Sequence, residues 1–269
     1  MIDATVGILT LNSSKNIYKC LNSLNHFKEI IILDGGSIDS TLEIAKKFKC
    51  RILKQKKISK FSNKRIKNFS QVRNFILEKA KYDMVLMLDS DEVLDKSQMH
   101  KINFLSKSTI MKKKYYCFLM PRIPFFENSV FKKTNLFPNF QPRLFYKSNM
   151  KGYIKLVHET PIPINHRLKQ HKLKDIYIYF SAELTDVQIK RKFEYYTSIE
   201  KKMVSKNFFN SMHFIFNGFF KLTKMFVKIL INKKSNKKII VYEKKITLTR
   251  ILMLYSLLVY KLNVFKKIN

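Results

Sequence analysis

The chain has 269 residues, 46% of them hydrophobic, which excludes a disordered protein and supplies one substantial core plus an appendage. Its 53 Lys and Arg face 19 Asp and Glu, a formal charge of +34, and 45 of the bases are Lys against 8 Arg. A base-reading protein leans on the planar Arg fork, so this excess points as readily to codon bias as to a nucleic-acid partner. Cys20, Cys50 and Cys117 lack C-x-x-C spacing, which leaves no disulfide framework or zinc site and favours a reducing compartment. The first residues, Met-Ile-Asp-Ala-Thr, carry no basic or apolar run of a signal peptide, so cytoplasm is the default.

In chain order the first half alternates strand and helix patterns, the mark of βαβ units. Strands are predicted at Ala4 to Thr10, Glu29 to Leu33, Cys50 to Lys54 and Met84 to Leu88, read as the apolar runs of parallel strands buried on both faces, with Met84 to Leu88 apolar throughout. Helices are predicted at Asn16 to Phe27, Ser40 to Phe48 and Val72 to Ala80. Beyond residue 110, prolines break the chain into loops and short strands at Tyr115 to Met120, Arg143 to Tyr146 and Tyr153 to Val157. A long helix is predicted from Asp186 to Lys206, then two more from Ser211, parted by the polar break Asn232 to Lys238. The reading is a catalytic domain over 1–205 and a basic helical tail over 206–269.

In an open α/β sheet, ligands bind beyond the carboxyl ends of the strands. The first strand delivers Thr10 and Asn12 there, the second Asp34, the fourth Asp89 and Asp91. Asp89, Asp91 and Glu92 place three carboxylates in four positions, which repel one another unless a cation neutralises them. Oxygen ligands of this density suit Mg²⁺ or Mn²⁺; the alternative is a solvated acidic turn.

The segment Ile32-Leu33-Asp34-Gly35-Gly36-Ser37-Ile38-Asp39-Ser40-Thr41 resembles the V-D-x-G-S-x-D-x-T signature of family-2 glycosyltransferases. Gln71-Val72-Arg73-Asn74, Ala80 and Leu88-Asp89-Ser90-Asp91-Glu92 resemble that family's Q-x-R-N…A…L-D-A-D-E stretch. Arg143-Leu144-Phe145 with Val157-His158-Glu159 is similar to the R-x-F…V-H-E segment of bacterial lipopolysaccharide-core members. The resemblance runs from about residue 4 to 200 in order and spacing. It implies a GT-A nucleotide-diphospho-sugar transferase fold, a mostly parallel Rossmann-like sheet flanked by helices, with a C-terminal helical extension.

The resemblance also implies roles. Asp34 would bond the donor nucleoside and Asp39 order its turn; Asp89 would contact ribose or metal, and Asp91 would be the principal ligand of Mn²⁺ or Mg²⁺. Arg73 would neutralise donor phosphate, and Lys192, in a K-x-x-x-Y helix, would reach the diphosphate. The reaction needs one base for the acceptor hydroxyl. Glu159 is the first candidate, with His158 as metal ligand or acceptor holder and Glu127 and Asp186 as rivals. The expected activity is inverting transfer from a nucleotide-sugar, with a UDP-sugar as expected donor, to a glycan or glycolipid such as lipopolysaccharide core.

From Lys201 onward there are 16 bases and one acid, 16 − 1 = +15. On a helix, Lys221, Lys224 and Lys228 share a face opposite Phe219, Leu222, Phe226, Ile229 and Leu230, the pattern of an interfacial membrane binder or of a helix packed on the domain. Ile251 to Tyr260, bracketed by Arg250 and Lys261, reads as too short to span a bilayer. An enzyme on the inner face of the cytoplasmic membrane, held to anionic lipid and with no nucleic-acid partner, is expected. A non-enzymatic nucleic-acid binder explains the charge but not aspartates ending successive buried strands. A nucleotidyltransferase would want a Gly-rich loop after the first strand, and Thr10 to Lys15 has no glycine.

Overall fold

The computed structural model describes residues 1–55, 66–126, 129–131, 134, 136–181, 185–204, 208–231 and 237–266. They form two compact units, 1–124 with 139–181 and 125–138 with 182–269. The first unit begins β1 (Ile2–Thr10), α1 (Ser14–Asn22), β2 (Phe27–Asp34), α2 (Thr41–Lys47), β3 (Arg51–Lys54), α3 (Phe69–Lys79), β4 (Met84–Asp89) and β5 (Glu92–Leu94). It continues with α4 (Met99–Lys107), α5 (Thr109–Lys114) and β6 (Tyr115–Phe126), whose last residues enter the second unit and pair with β7 (Ser129–Val130). Then come β8 (Asn139–Tyr146), β9 (Met150–Ile154), β10 (Thr160–Pro163), β11 (Lys169–Lys172) and β12 (Ile178–Ser181).

The sheet order is β3-β2-β1-β4-β8-β6-β12-β5. The first four strands are parallel, β8 runs antiparallel to β4 and β6, and β9 with β10 forms a separate antiparallel pair. Strand order therefore reverses between β1 and β4, and the crevice beyond such a switch point is where α/β sheets bind ligands. Register places Thr10 beside Asp34 and Leu9 beside Asp89, so residues widely separated in sequence meet at one edge.

Strand alternation divides the core into two layers. Val6, Ile8, Leu86 and Leu88 pack with Ile17 and Leu21 of α1, while Val85 and Met87 pack with Val72, Ile76 and Leu77 of α3. Gly7 allows the second contact, because a Cβ there would lie 2.4 Å from Ile76 Cγ2.

Several expected boundaries shift for local reasons. The first helix stops at Asn22, where the Ser23 hydroxyl bonds the Cys20 carbonyl at 2.6 Å. The strand expected to reach Val157 stops at Ile154, because Lys155 turns to a left-handed φ of 76°.

The second unit holds α6 (Asp186–Val204), α7 (Phe208–Ile231) and α8 (Lys237–Lys266). Part of the apolar face expected to meet lipid instead packs inside this unit. Leu222 is in the core with Leu254 and Leu257 of α8, Phe219 packs against that cluster, and Ile229 is buried; Leu230 is exposed. Of the apolar residues that α7 leaves exposed, Phe209, Phe216, Phe220, Val227 and Ile231 share a stripe about 60° wide at 100° per residue, and Phe214 and Leu230 lie outside it. Lys221 and Lys224 are exposed beside it, and the side chain of Lys228 lies outside what is described. The span expectation for the last segment also changes: α8 runs unbroken through Arg250, and its 29 residues Lys237–Phe265 are long and apolar enough to cross a membrane.

Candidate active site

At the carboxyl edge of β1, β2 and β4 three loops are laced together by hydrogen bonds. Asp34 ends β2 nearly buried, and both its oxygens are occupied. One accepts from Thr10 Oγ1 at 2.9 Å and Ser37 Oγ at 2.5 Å, the other from the amides of Gly36 and Ser37 at 2.7 and 2.8 Å. Four donors fill a carboxylate's acceptor capacity, so Asp34 organises this turn. Asn12, held at a left-handed φ of 50°, accepts from Ile38 N at 2.9 Å and donates its own amide to Ser37 Oγ at 2.9 Å. Asp39 accepts from Ser14 N and Thr41 N, the first residues of α1 and α2, each at 3.0 Å. Partial burial works to raise the Asp39 carboxyl, and the Thr41 and Ser14 donors override it and hold it below the ordinary carboxylate range. Ser13 Oγ lies 2.9 Å from Ser90 Oγ and joins the first loop to the third.

Beneath this edge lies a network of buried charges. Arg143, on β8, donates through Nη2 to Asp89 at 2.8 Å and to Glu92 at 2.6 Å. Arg122, on β6, pairs with Glu92 and lies 3.7 Å over the Phe180 ring of β12. Arg73, on α3, donates to Asp89 at 3.2 Å and pairs with Glu159. Three guanidinium groups thus oppose three carboxylates, which is the condition for burying them. Burial pushes the Asp89 carboxyl up, but Arg143, Arg73 and Arg122 outweigh it and hold it far below the ordinary range.

The predicted residues are distributed accordingly. Thr10, Asn12, Asp34 and Asp39 meet in the laced loops, and Arg73, Asp89 and Glu159 meet in the charge network. His158 is exposed, at a left-handed φ of 51°, beside Glu159. Two residues lie in the second unit: Lys192, exposed on α6, and Asp186, paired with Lys245 at 2.6 Å. Glu127 lies outside the described residues. The sequence alone assigns no role to Arg122 or Arg143, and groups Glu92 with the carboxylates that a cation would neutralise, although it is fully buried between these two arginines. The available signal was scarcity: of 8 arginines, three converge here.

For a divalent cation the carboxylates divide. Asp89 is committed to two arginines, whereas Asp91 accepts no hydrogen bond or ion pair among the described residues. No group of three or more His, Cys, Asp and Glu among the described residues forms a cage. Mg²⁺ and similar ions use one or two carboxylates and complete their shell with water and substrate phosphate, so Asp91 with Asp89 beside it fits an ion arriving with a diphosphate. Burial pushes the Cys20 and Cys117 thiols up and raises Cys50 to about 12, which argues against a thiolate nucleophile.

A sheet that is parallel over β3, β2, β1 and β4, with a switch point between β1 and β4 and polar loops on its carboxyl edge, agrees with the GT-A fold that the sequence resemblance implies. The chain belongs to glycosyl transferase family 2, whose model matches residues 5–159. It is similar to the SPbeta prophage-derived glycosyltransferase SunS of Bacillus subtilis (strain 168), 29% identical over 180 residues that cover 66% of this chain and 39% of SunS. It is also similar to an uncharacterized glycosyltransferase of Haemophilus influenzae, 30% identical over 99 residues, covering 36% of this chain and 38% of that one. The chain therefore spans well under half the length of either relative. Among solved structures, S. aureus TarS 1-349 in complex with UDP-GlcNAc aligns with a TM-score of 0.48 and 17% identity, covering 79% of this chain and 69% of that one.

The depressed Asp89 carboxyl sets an acid dependence. The unfolded group takes up its proton near pH 3.9, while the folded group resists protonation until lower pH. Its stabilisation is complete above that unfolded value and is lost as pH falls through the folded one. Urea unfolding between pH 5 and pH 2 should therefore show a shallower loss of stability for Asp89→Asn than for the parent. Equal slopes would mean that the pairing contributes nothing.

Proposed function

We propose that the protein is an inverting glycosyltransferase that uses a nucleotide-diphosphate-sugar, with UDP as the expected nucleotide, and a glycan or lipid-linked acceptor such as lipopolysaccharide core. The observation that supports it most is the meeting of Thr10, Asp34, Ser90 and Asp89 at one switch point, with Asp91 uncommitted beside them. The nucleoside lies against the loops that Asp34 and Asp39 organise, and direct contact with Asp34 exchanges one of its hydroxyl donors. Asp91, with Asp89 beside it, holds Mn²⁺ or Mg²⁺. That ion, when bound, offsets the charge of the departing diphosphate.

The acceptor oxygen attacks the anomeric carbon as the bond from that carbon to the diphosphate breaks. Glu159 takes the acceptor's proton. One of its oxygens is held by Arg73, and the other accepts nothing among the described residues, so it is available for this transfer. Arg73 bonds Asp89 on the donor side and Glu159 on the acceptor side, fixing the two carboxylates relative to each other. His158, exposed next to the base, is placed to hold the acceptor.

Two substitutions test the assignment. Asp91→Asn should abolish metal-stimulated turnover while leaving the melting temperature near that of the parent, because an amide is a poor ligand for a hard cation. Glu159→Gln should lower turnover by about 10²–10⁴ with little change in donor affinity, as for loss of a general base. Full turnover by Asp91→Asn would remove the metal role. A loss in Asp186→Asn or Glu127→Gln instead of Glu159→Gln would move the base.

The second unit is read as the part that meets the inner face of an anionic cytoplasmic membrane. Besides the α7 stripe, α8 exposes Leu248, Leu252, Tyr255 and Val259 within an arc of about 60°, and Lys237, Lys238 and Lys245 precede it. Apolar stripes flanked by lysines combine insertion with attraction to anionic headgroups. In co-sedimentation, vesicles containing phosphatidylglycerol should bind more protein than pure phosphatidylcholine vesicles. Lys221→Glu with Lys224→Glu should reduce that preference, and Phe216→Ser with Phe220→Ser should reduce binding to both. Equal binding to the two vesicles, or none, would contradict the membrane reading.

A further inference from the structure

The loop that carries Glu159 is held in an unfavourable conformation, and one side chain outside the reacting groups secures it. Lys155 and His158 both have left-handed φ, 76° and 51°, which residues with a Cβ rarely adopt unless their surroundings impose it. Three contacts from α3 do so. Phe69 N donates to the Leu156 carbonyl at 2.8 Å, Arg73 pairs with Glu159, and Asn74 grips Tyr153 just before the loop. That grip is two-pronged: Asn74 Nδ2 donates to the Tyr153 carbonyl at 3.0 Å, and Asn74 Oδ1 accepts from the Tyr153 amide at 2.6 Å. The side-chain amide thus imitates one rung of a sheet and ties β9 to α3.

The neighbouring residue is built around this clamp. Gly152 has φ 128°, and a Cβ on it would lie 2.7 Å from Asn74 Oδ1. The Tyr153 ring is buried and packs edge-on against Phe145 at 5.5 Å, so the clamped residue is anchored on its other side as well. Asp in place of Asn74 would keep the acceptor and lose the donor; Ala would lose both.

We propose that Asn74 is a positioning residue for the acceptor side of the reaction, acting through the Tyr153 backbone to hold residues 155–159 so that Glu159 meets Arg73. The functional part of this rests on the reading of Glu159 as the base. The clamp itself is tested independently of it.

The experiment compares the parent with Asn74→Ala, Asn74→Asp and Gly152→Ala, so that failure of one variant to fold leaves the others. Hydrogen exchange by mass spectrometry should show amides 153–159 opening roughly tenfold faster or more, as for a locally released segment, with 5–10 and 84–89 unchanged. Calorimetry with UDP and Mn²⁺ should give affinities within about twofold of the parent, because the donor loops are untouched. UDP release from UDP-GlcNAc, with water as acceptor, should slow by about 10–100-fold, the scale of a misplaced reacting group. Asn74→Ala added to Glu159→Gln should slow release no further, since the two act on one step. Unchanged exchange at 153–159, or additive losses in the double variant, would overturn the proposal. If Glu159→Gln turns over like the parent while the clamp variants open the loop, the base reading falls and the positioning of the loop stands.

Discussion

Pairing the buried Arg73, Arg143 and Glu92 with the half-buried Arg122, Asp89 and Glu159 constrains most of the first unit. Each ion taken from water costs several kcal/mol in practice, and only close pairing with further hydrogen bonds offsets that. Every partner here comes from a different place: α3, the end of β4, β5, β6, β8 and the loop before β10. The antiparallel strands β6 and β8 must therefore add to the parallel sheet in the register that brings Arg122 and Arg143 to Glu92. Removing Glu92 would take away the carboxylate that Arg122 pairs with, and removing Arg73 the guanidinium that Glu159 pairs with. Asp91 lies next to this balanced set without a partner among the described residues, which makes it the carboxylate free for a cation.

The network also gives the proposed chemistry its geometry. The loops at the ends of β1 and β2, proposed to hold the donor, are organised by Asp34 and Asp39, neither of which belongs to the charge network. The loop of Glu159, the proposed acceptor side, is organised from α3, through Phe69, Arg73 and Asn74. Among the described residues Arg73 bonds both Asp89 and Glu159, so α3 sets the distance between these two carboxylates. Gly7, which lets α3 approach the sheet, belongs to the same arrangement.

The carboxyl edge of β1, β2 and β4 is legible in the sequence because buried parallel strands write themselves as apolar runs, and their last residues are the ones that meet. Thr10, Asp34 and Asp89 needed no knowledge of packing to be placed together. Arg122 and Arg143 were different. They sit on antiparallel strands far along the chain, within stretches broken by proline, and nothing in local periodicity says that they face Glu92. Residues 155–157 read as the end of a strand from Tyr153 to Val157, while their course is set by Asn74 and Phe69 from another element. In the tail, periodicity grouped residues by angle correctly but could not say which of two apolar stripes α8 would cover. Leu222 and Ile229 are inside, whereas Phe216 and Phe220 remain exposed.

In the proposed function a nucleoside diphosphate and a divalent cation bind where β1, β2 and β4 end. A hydrogen-exchange footprint of the whole protein with UDP and Mn²⁺, against Mn²⁺ alone and against UDP with chelator, tests it most directly. Slowed exchange at residues 10–14, 34–41 and 89–92, present with UDP and Mn²⁺ and weakened by chelator, is the expected result. Protection confined to other segments, or none at saturating UDP and Mn²⁺, would contradict it.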